Sequence, residues 1–352
     1  MKKKTALLIV LLLMAAGGGY FIFTQSSAET STKIEDNEGN SISYLSEKYG
    51  KSVLNTFNFD KQKITKSFKL NQDQDLYAVS YYHPIEKKTL IMNQQSEPYG
   101  YQVYMQNPTG IQKLGFLENS IQEALYTDEF AYVLVYSRDA GQSVKLNQYK
   151  LDNWEKPVQT WEIPGSPKRM LANHESGKIF ILTAEAGTAM HTLDEKSGEL
   201  TSKVIAEDPY DLNASVIDGK LWILPREKLD SSGMKSKNNQ AVRSVMQLDT
   251  ETGETLQTAK TKHPPKFMAQ DSNYTYIISG TPNSSYLELY EHKNMNKRIG
   301  TVKLKADAIN GFVSTESGNF LFTNKGVFKA EGTKVQSAAD EEISPKTDLR
   351  IH

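Results

Sequence analysis

The chain has 352 residues, 38% hydrophobic and 10% aromatic, with 41 basic against 42 acidic side chains and a formal net charge of −1. So even a balance excludes nucleic acid as the main partner, because phosphate backbones are bound through a basic excess. The absence of cysteine excludes disulfides, zinc–thiolate sites, thiol nucleophiles and lipid attachment through an N-terminal Cys.

Lys2, Lys3 and Lys4 precede an apolar run from Ala6 to Phe23. Positive charge ahead of such a run holds the N-terminus in the cytoplasm. About 18 apolar residues make a helix of about 27 Å, enough to span a bilayer marginally. Residues 1–24 are therefore read as a transmembrane anchor that makes the membrane a partner and leaves the C-terminal domain outside, in a single-pass arrangement. The small residues Ser26, Ser27 and Ala28 keep a second reading open, in which the segment is a signal peptide cleaved near Ala28 and the protein is secreted. Residues 25–51 are polar and read as a linker, since they offer little apolar surface to offset the entropy of ordering.

Alternating strands begin near residue 51. Val53–Phe59 and Lys63–Leu70 each carry one apolar face. Six groups of strands follow. They run Leu76–Tyr81, Thr89–Met92, Tyr101–Met105 and Ile111–Phe116; then Ile121–Tyr126, Phe130–Tyr136, Val144–Leu151 and Val158–Ile163; then Arg169–Ala172, Lys178–Leu182, Met190–Leu193 and Leu200–Val204. The next are Leu212–Ile217, Leu221–Leu224, Ser244–Leu248 and Thr255–Thr258; then Lys266–Ala269, Tyr274–Ser279, Leu287–Tyr290 and Arg298–Leu304. The sixth holds Ile309–Ser314, Asn319–Phe322 and Gly326–Lys329, with only a weak fourth strand near Val335. Second strands start at intervals of 41, 49, 41, 54 and 45 residues, the repeat length of a four-stranded propeller blade or slightly more. The expectation is an all-β protein, a β-propeller over 52–335 with about six four-stranded blades (seven as the alternative) and a polar tail over 336–352. A strand from 52–70 would complete the last blade and close the ring.

Two groups repeat a fixed turn. Gly177–Leu182 is followed by Leu193-Asp194-Glu195-Lys196-Ser197-Gly198-Glu199, and Gly219–Leu224 by Leu248-Asp249-Thr250-Glu251-Thr252-Gly253-Glu254. Asp accepts hydrogen bonds from the next main-chain N–H groups, and Gly takes the positive φ that closes the turn. With these turns the chain resembles the quinoprotein-like (PQQ-like, YVTN-type) β-propellers over about residues 70–330. The resemblance implies six to eight blades and a family of quinone dehydrogenases and non-enzymatic binding proteins. Its dehydrogenases carry a Trp after the Gly turn and neighbouring cysteines at the cofactor. This chain has three Trp, none at that place, and no Cys, which aligns it with the non-enzymatic branch and with no cofactor.

No two of the six histidines stand at a metal-ligand spacing, so no metal is expected. Asn71–Asp75 alternates oxygens as calcium loops do, yet Leu76 and Tyr82 replace the Gly and the distal acid such a loop needs. No Gly-x-Ser-x-Gly occurs. Acids drawn from several blades would make a glycan-active enzyme, a glycosidase or lyase, the alternative function. Binding is the leading one. The loop Pro225–Val242 carries Arg226, Lys228, Lys235 and Lys237 with Arg243 just beyond, and the matching loop of the first group holds Pro98 and Tyr99 with Tyr101 adjoining. Cations attract an anionic partner and rings supply contact area. The sequence thus describes a membrane-anchored extracytoplasmic scaffold for a protein or cell-wall polymer.

Overall fold

The computed structural model describes residues 41–48, 51–69, 78–83, 86, 88–95, 98–107, 110–136, 144–230, 240–281, 284–292, 294–305, 309–339 and 347–351. The expected anchor over 1–24, the linker as far as residue 40 and the Asn71–Asp75 stretch lie outside these residues. No helix among the described residues is long and apolar enough to cross a membrane.

The domain is a seven-bladed β-propeller, not a six-bladed one. An N-terminal blade has three strands: β1 (Ser41–Lys48), β2 (Lys51–Asn58) and β3 (Lys63–Lys69). Blade 1 is β4 (Ala78–His83), β5 (Lys88–Gln95), β6 (Gly100–Asn107) and β7 (Gly110–Leu117). Blade 2 is β8 (Ile121–Tyr126), β9 (Phe130–Tyr136), β10 (Val144–Lys150) and β11 (Gln159–Ile163). Blade 3 is β12 (Ser166–Asn173), β13 (Lys178–Ala184), β14 (Thr188–Asp194) and β15 (Leu200–Ala206). Blade 4 is β16 (Tyr210–Ile217), β17 (Lys220–Lys228), β18 (Ser244–Leu248) and β19 (Thr255–Lys260). Blade 5 is β20 (Pro265–Gln270), β21 (Tyr274–Thr281), β22 (Ser284–Glu291) and β23 (Asn294–Lys303). Blade 6 is β24 (Ile309–Thr315), β25 (Gly318–Thr323), β26 (Gly326–Glu331) and β27 (Lys334–Ala339). A last strand, β28 (Thr347–Ile351), runs parallel to β4 and also touches β24 and β1.

Each blade is an antiparallel meander, and the first strands contact one another in succession from β1 to β24, with β28 touching both β24 and β1 on the inner edge of blade 1, so these strands surround the axis. Second strands are sandwiched between neighbouring blades and buried on both faces, which explains their unbroken apolar runs: Ile179–Leu182, Leu221–Leu224 and Phe320–Phe322 are all buried. Outer strands face solvent. In β19 all but Ala259 are exposed, and β27 has no buried residue.

The N-terminal blade corrects three expectations. Residues 41–48, read as linker, form β1; the segment 52–70 builds its own blade instead of completing blade 6; and residues 334–339 supply the fourth strand of that blade. The two faces of β2 explain the closure. Phe57 and the adjoining Phe59 turn towards blade 6, where the Phe57 ring meets Phe320 at 5.5 Å and Phe322 at 5.9 Å. Leu54 and Thr56 turn the other way, to blade 1. There Leu54 packs on Ile91, while Thr56 Oγ1 accepts from Gln106 Nε2 at 2.9 Å and shares a hydrogen bond with Ser43 Oγ at 2.9 Å. One seam is aromatic and the other largely polar.

The repeated turns form as expected. Asp194 Oδ1 accepts from the N–H groups of Lys196 and Ser197 at 3.1 and 2.8 Å, and Gly198 has φ +71°. Asp249 repeats this with Glu251 and Thr252 at 2.9 and 2.6 Å, and Gly253 has φ +66°. These donors hold both carboxyls below the usual carboxylate range.

Candidate functional site

Because the strands of a meander alternate in direction, links between second and third strands leave the same face of the ring as links between blades. The other face carries the short turns, including both Asp–Gly turns. The basic hairpin of blade 4 belongs to the first, the loop face. Its base continues the sheet: Lys228 N donates to Gln240 O at 3.0 Å, Val242 N to Arg226 O at 2.9 Å and Leu229 N to Pro209 O at 2.8 Å.

This base fixes two of the expected cations against acids of the same blade and its entry. Lys228 Nζ lies 2.6 Å from Asp208 Oδ1, a hydrogen bond that raises the lysine pKa. Arg226 Nη1 stands 3.9 Å from Asp211 Oδ2. Arg243 is exposed and forms no ion pair among the described residues. Lys235 and Lys237 lie outside the described residues.

The tyrosines divide. Tyr99 is 41% exposed at the loop of blade 1. Tyr101 is 3% exposed, because its position in β6 turns it into the core shared with blade 2, and burial pushes its pKa up to about 12. Only Tyr99 therefore presents a ring to solvent. Blades 1 and 4 are also separated by two others in the ring, so the structure does not join the Tyr turn and the basic hairpin into one platform.

Sequence reasoning missed a set of bulges at the loop-face end of the axis. In β12 the register steps from Pro167 to Arg169, leaving Lys168 as the extra residue. In β20 it steps from Pro265 to Phe267, leaving Lys266. In blade 4 the step occurs on the partner strand, where Leu212 pairs with Pro225 and Asp211 with Glu227, leaving Arg226. A bulged residue drops out of the ladder, and its side chain is re-aimed. All three bulges carry a cation immediately after a proline, a residue that cannot donate to the ladder and so marks such breaks. The sequence signal was therefore the Pro-Lys/Arg pair at 167–168, 225–226 and 265–266. β8 and β24 carry the corresponding irregularity at Gln122 and Asn310.

Arg226 and Lys266 come from adjoining blades and repel each other. Burial, and then the Arg226 charge, holds the Lys266 pKa below the usual lysine value. Lys266 Nζ donates to Thr281 O at 3.3 Å and forms no ion pair among the described residues. Two like charges held together at a half-buried rim make a site of attraction for an anion.

The buried acids do other work. Glu123 binds Arg169 across blades 2 and 3 at 3.1 Å, both side chains 4% exposed, and also accepts from the Met170 N–H. Burial raises the Glu288 pKa, but donation from Ser279, Tyr290 and the N–H groups of Lys262 and His263 prevails and holds it low. A glycosidase acid needs the opposite shift. Among the described residues no group of three His, Asp or Glu stands close enough to hold a metal.

The turn face holds a separate cluster where blades 1, 2 and 3 meet. The His83 and His174 rings lie 4.0 Å apart, Tyr81 Oη and His174 Nε2 share a hydrogen bond at 3.0 Å, and Tyr126 packs 5.0 Å from His83. Burial, and then the neighbouring His174, lowers the His83 pKa to about 4.

No family model matches the chain, and no curated protein matches its sequence. Solved structures do match in fold. A functionally unknown protein from Desulfotomaculum acetoxidans is 13% identical, with a TM-score of 0.57 over 89% of this chain and 98% of that one. The β-propeller domain of the Trilobed protease from Pyrococcus furiosus is 10% identical, with a TM-score of 0.56 over 86% and 96%; an open velcro topology is described for it. The WD40 domain of Toxoplasma gondii coronin is 9% identical, with a TM-score of 0.55 over 84% and 77%. At such identities the likeness concerns the fold alone.

Proposed function

We propose that this protein is an extracytoplasmic propeller, tethered by its N-terminal apolar segment, that binds an anionic protein or cell-wall polymer on its loop face and turns nothing over. The observation that carries the reading is the gathering of Arg226, Lys228, Arg243 and Lys266 around the blade 4 hairpin, with Lys266 half-buried beside Arg226. A rigid ring that presents its links on one face makes binding sites readily. The Asp–Gly turns support relating its repeats to the quinoprotein-like propellers, in their non-enzymatic branch.

The test is capture from an envelope extract by the full-length protein and by a variant in which Lys228, Lys235, Lys237 and Arg243 are all replaced by Gln. Capture by the variant should fall, and fall most at low salt, because exposed charge attraction is screened as ionic strength rises. Equal capture by both proteins at low and high salt would remove the hairpin from the reading.

A further inference from the structure

We infer that the three bulged cations Lys168, Arg226 and Lys266 form a phosphate-binding site on the loop face, towards the ring axis. The inference deepens the proposed function, since it rests on the loop face being the binding face and names the anion that face takes.

Three consecutive blades break register at the same level, each directly after a proline, and each break sets a cation outside the ladder. A bulge is retained when re-aiming a side chain is useful, and bulges concentrate at rims and beside sites. Blades 2 and 6 place the neutral Gln122 and Asn310 at the equivalent step, so the charge is confined to one arc of the ring.

The local chemistry agrees. Lys266 is half-buried next to Arg226 and donates to the Thr281 carbonyl at 3.3 Å, while Arg226 Nη1 stands 3.9 Å from Asp211 Oδ2. Lys168 Nζ reaches Ser166 Oγ at 3.4 Å. A ligand held jointly by cations of three blades would be met from several directions instead of in one plane. That arrangement suits a tetrahedral anion with oxygens in several directions better than a planar carboxylate, which prefers a single in-plane fork. Lysine serves phosphate as a point charge, and arginine adds a fork. The ligand class is therefore a phosphate group, whether free or carried along a polymer.

The test is calorimetric titration of the full-length protein with inorganic phosphate, with acetate as the planar control and poly(glycerol phosphate) as the polymeric arm. Phosphate should saturate one site, and K168Q and K266Q should each weaken it about tenfold, the scale of one lost charge-assisted hydrogen bond. K266R, which keeps the charge, should retain binding, and thermal melting of each variant separates loss of the site from loss of the fold. Tighter binding of the polymer than of free phosphate assigns the site to a polymer; equal binding per phosphate assigns it to the free ion. Acetate binding as well as phosphate, or K168Q and K266Q titrating like the wild type, overturns the inference. These variants spare Lys228, Lys235, Lys237 and Arg243. A phosphate site that fails while the hairpin variant still loses its partner refutes the inference alone, and the reverse pattern refutes the proposed function alone.

Discussion

Replacing Phe57 with alanine probes the closure of the ring at its tightest joint. The ring is fully buried and meets Phe59, Phe320 and Phe322 at centroid distances of 5.6, 5.5 and 5.9 Å. Truncating a buried Phe costs about 3–5 kcal/mol, the upper part applying where the surroundings cannot collapse into the hole. Three aromatic neighbours place Phe57 in that upper part, because each edge-on pair adds about 0.5–1.5 kcal/mol beyond burial. The far seam offers little compensation, since among the described residues its apolar cluster is small, Leu54 and Ile91 with the half-buried Tyr104 and Ile111, beside hydroxyl and amide contacts. The chain provides its own distant reporters: Trp154 and Trp161 belong to blade 2 and Trp222 to blade 4, so tryptophan fluorescence reads the side of the ring away from the closure. Urea unfolding of Phe57→Ala should show the tryptophan transition displaced by about 4 kcal/mol, in step with the loss of far-ultraviolet circular dichroism. A tryptophan transition left in place, with an early separate loss of circular dichroism, would show that the N-terminal blade detaches without opening the ring.

Three other parts of the molecule carry outcomes of their own. His83 is buried and its folded pKa of about 4 lies below the ordinary 6.5, so between these values the unfolded chain binds a proton that the folded one refuses. Stability should be complete above pH 6.5 and fall by about 2–3 kcal/mol as pH drops towards 4, with His174, also lowered, acting in the same direction; a His83→Phe variant with an unchanged pH profile of unfolding would contradict this. Glu123→Ala should cost about 3–5 kcal/mol in denaturant unfolding, because it strips the carboxylate from Arg169 at a site where both side chains are 4% exposed; a loss below about 1 kcal/mol would show that the pair is not a joint between blades 2 and 3. Fractionation with mass measurement should find the full-length chain in the membrane, whereas a soluble species starting at Glu29 would replace the anchor by a cleaved signal.

What the sequence made legible depended on where each strand sits in the ring. Second strands such as Leu221–Leu224 are covered on both faces and stand out as apolar runs, so the repeat could be counted from them. The strand β1 was hidden because one of its faces packs through Ser43 onto Thr56 and so towards Gln106, and a buried hydroxyl reads as a solvent-facing one. The strand β27 was faint because an outermost strand keeps little alternation; Lys334, Gln336 and Ser337 are exposed. These two omissions turned seven blades into six. The site followed the same logic. The hairpin cations were visible as a charged loop, but their pairing with Asp208 and Asp211 required the register of β16 on β17. Tyr101 looked like a partner to Tyr99, although neighbours two apart on a strand share a face only while the strand lasts, and Tyr99 precedes β6. The bulges lay furthest from view, since a register step depends on both strands and only the prolines hinted at it.

The most direct test of the loop face as an anion-binding surface is an equilibrium titration of the full-length protein with inorganic polyphosphate at several salt concentrations. The account predicts saturable binding that weakens steeply as salt rises, and that loses both strength and salt dependence when Lys168, Arg226 and Lys266 are replaced together by Gln. Binding that is absent at low salt, or unchanged in the triple variant, would contradict it.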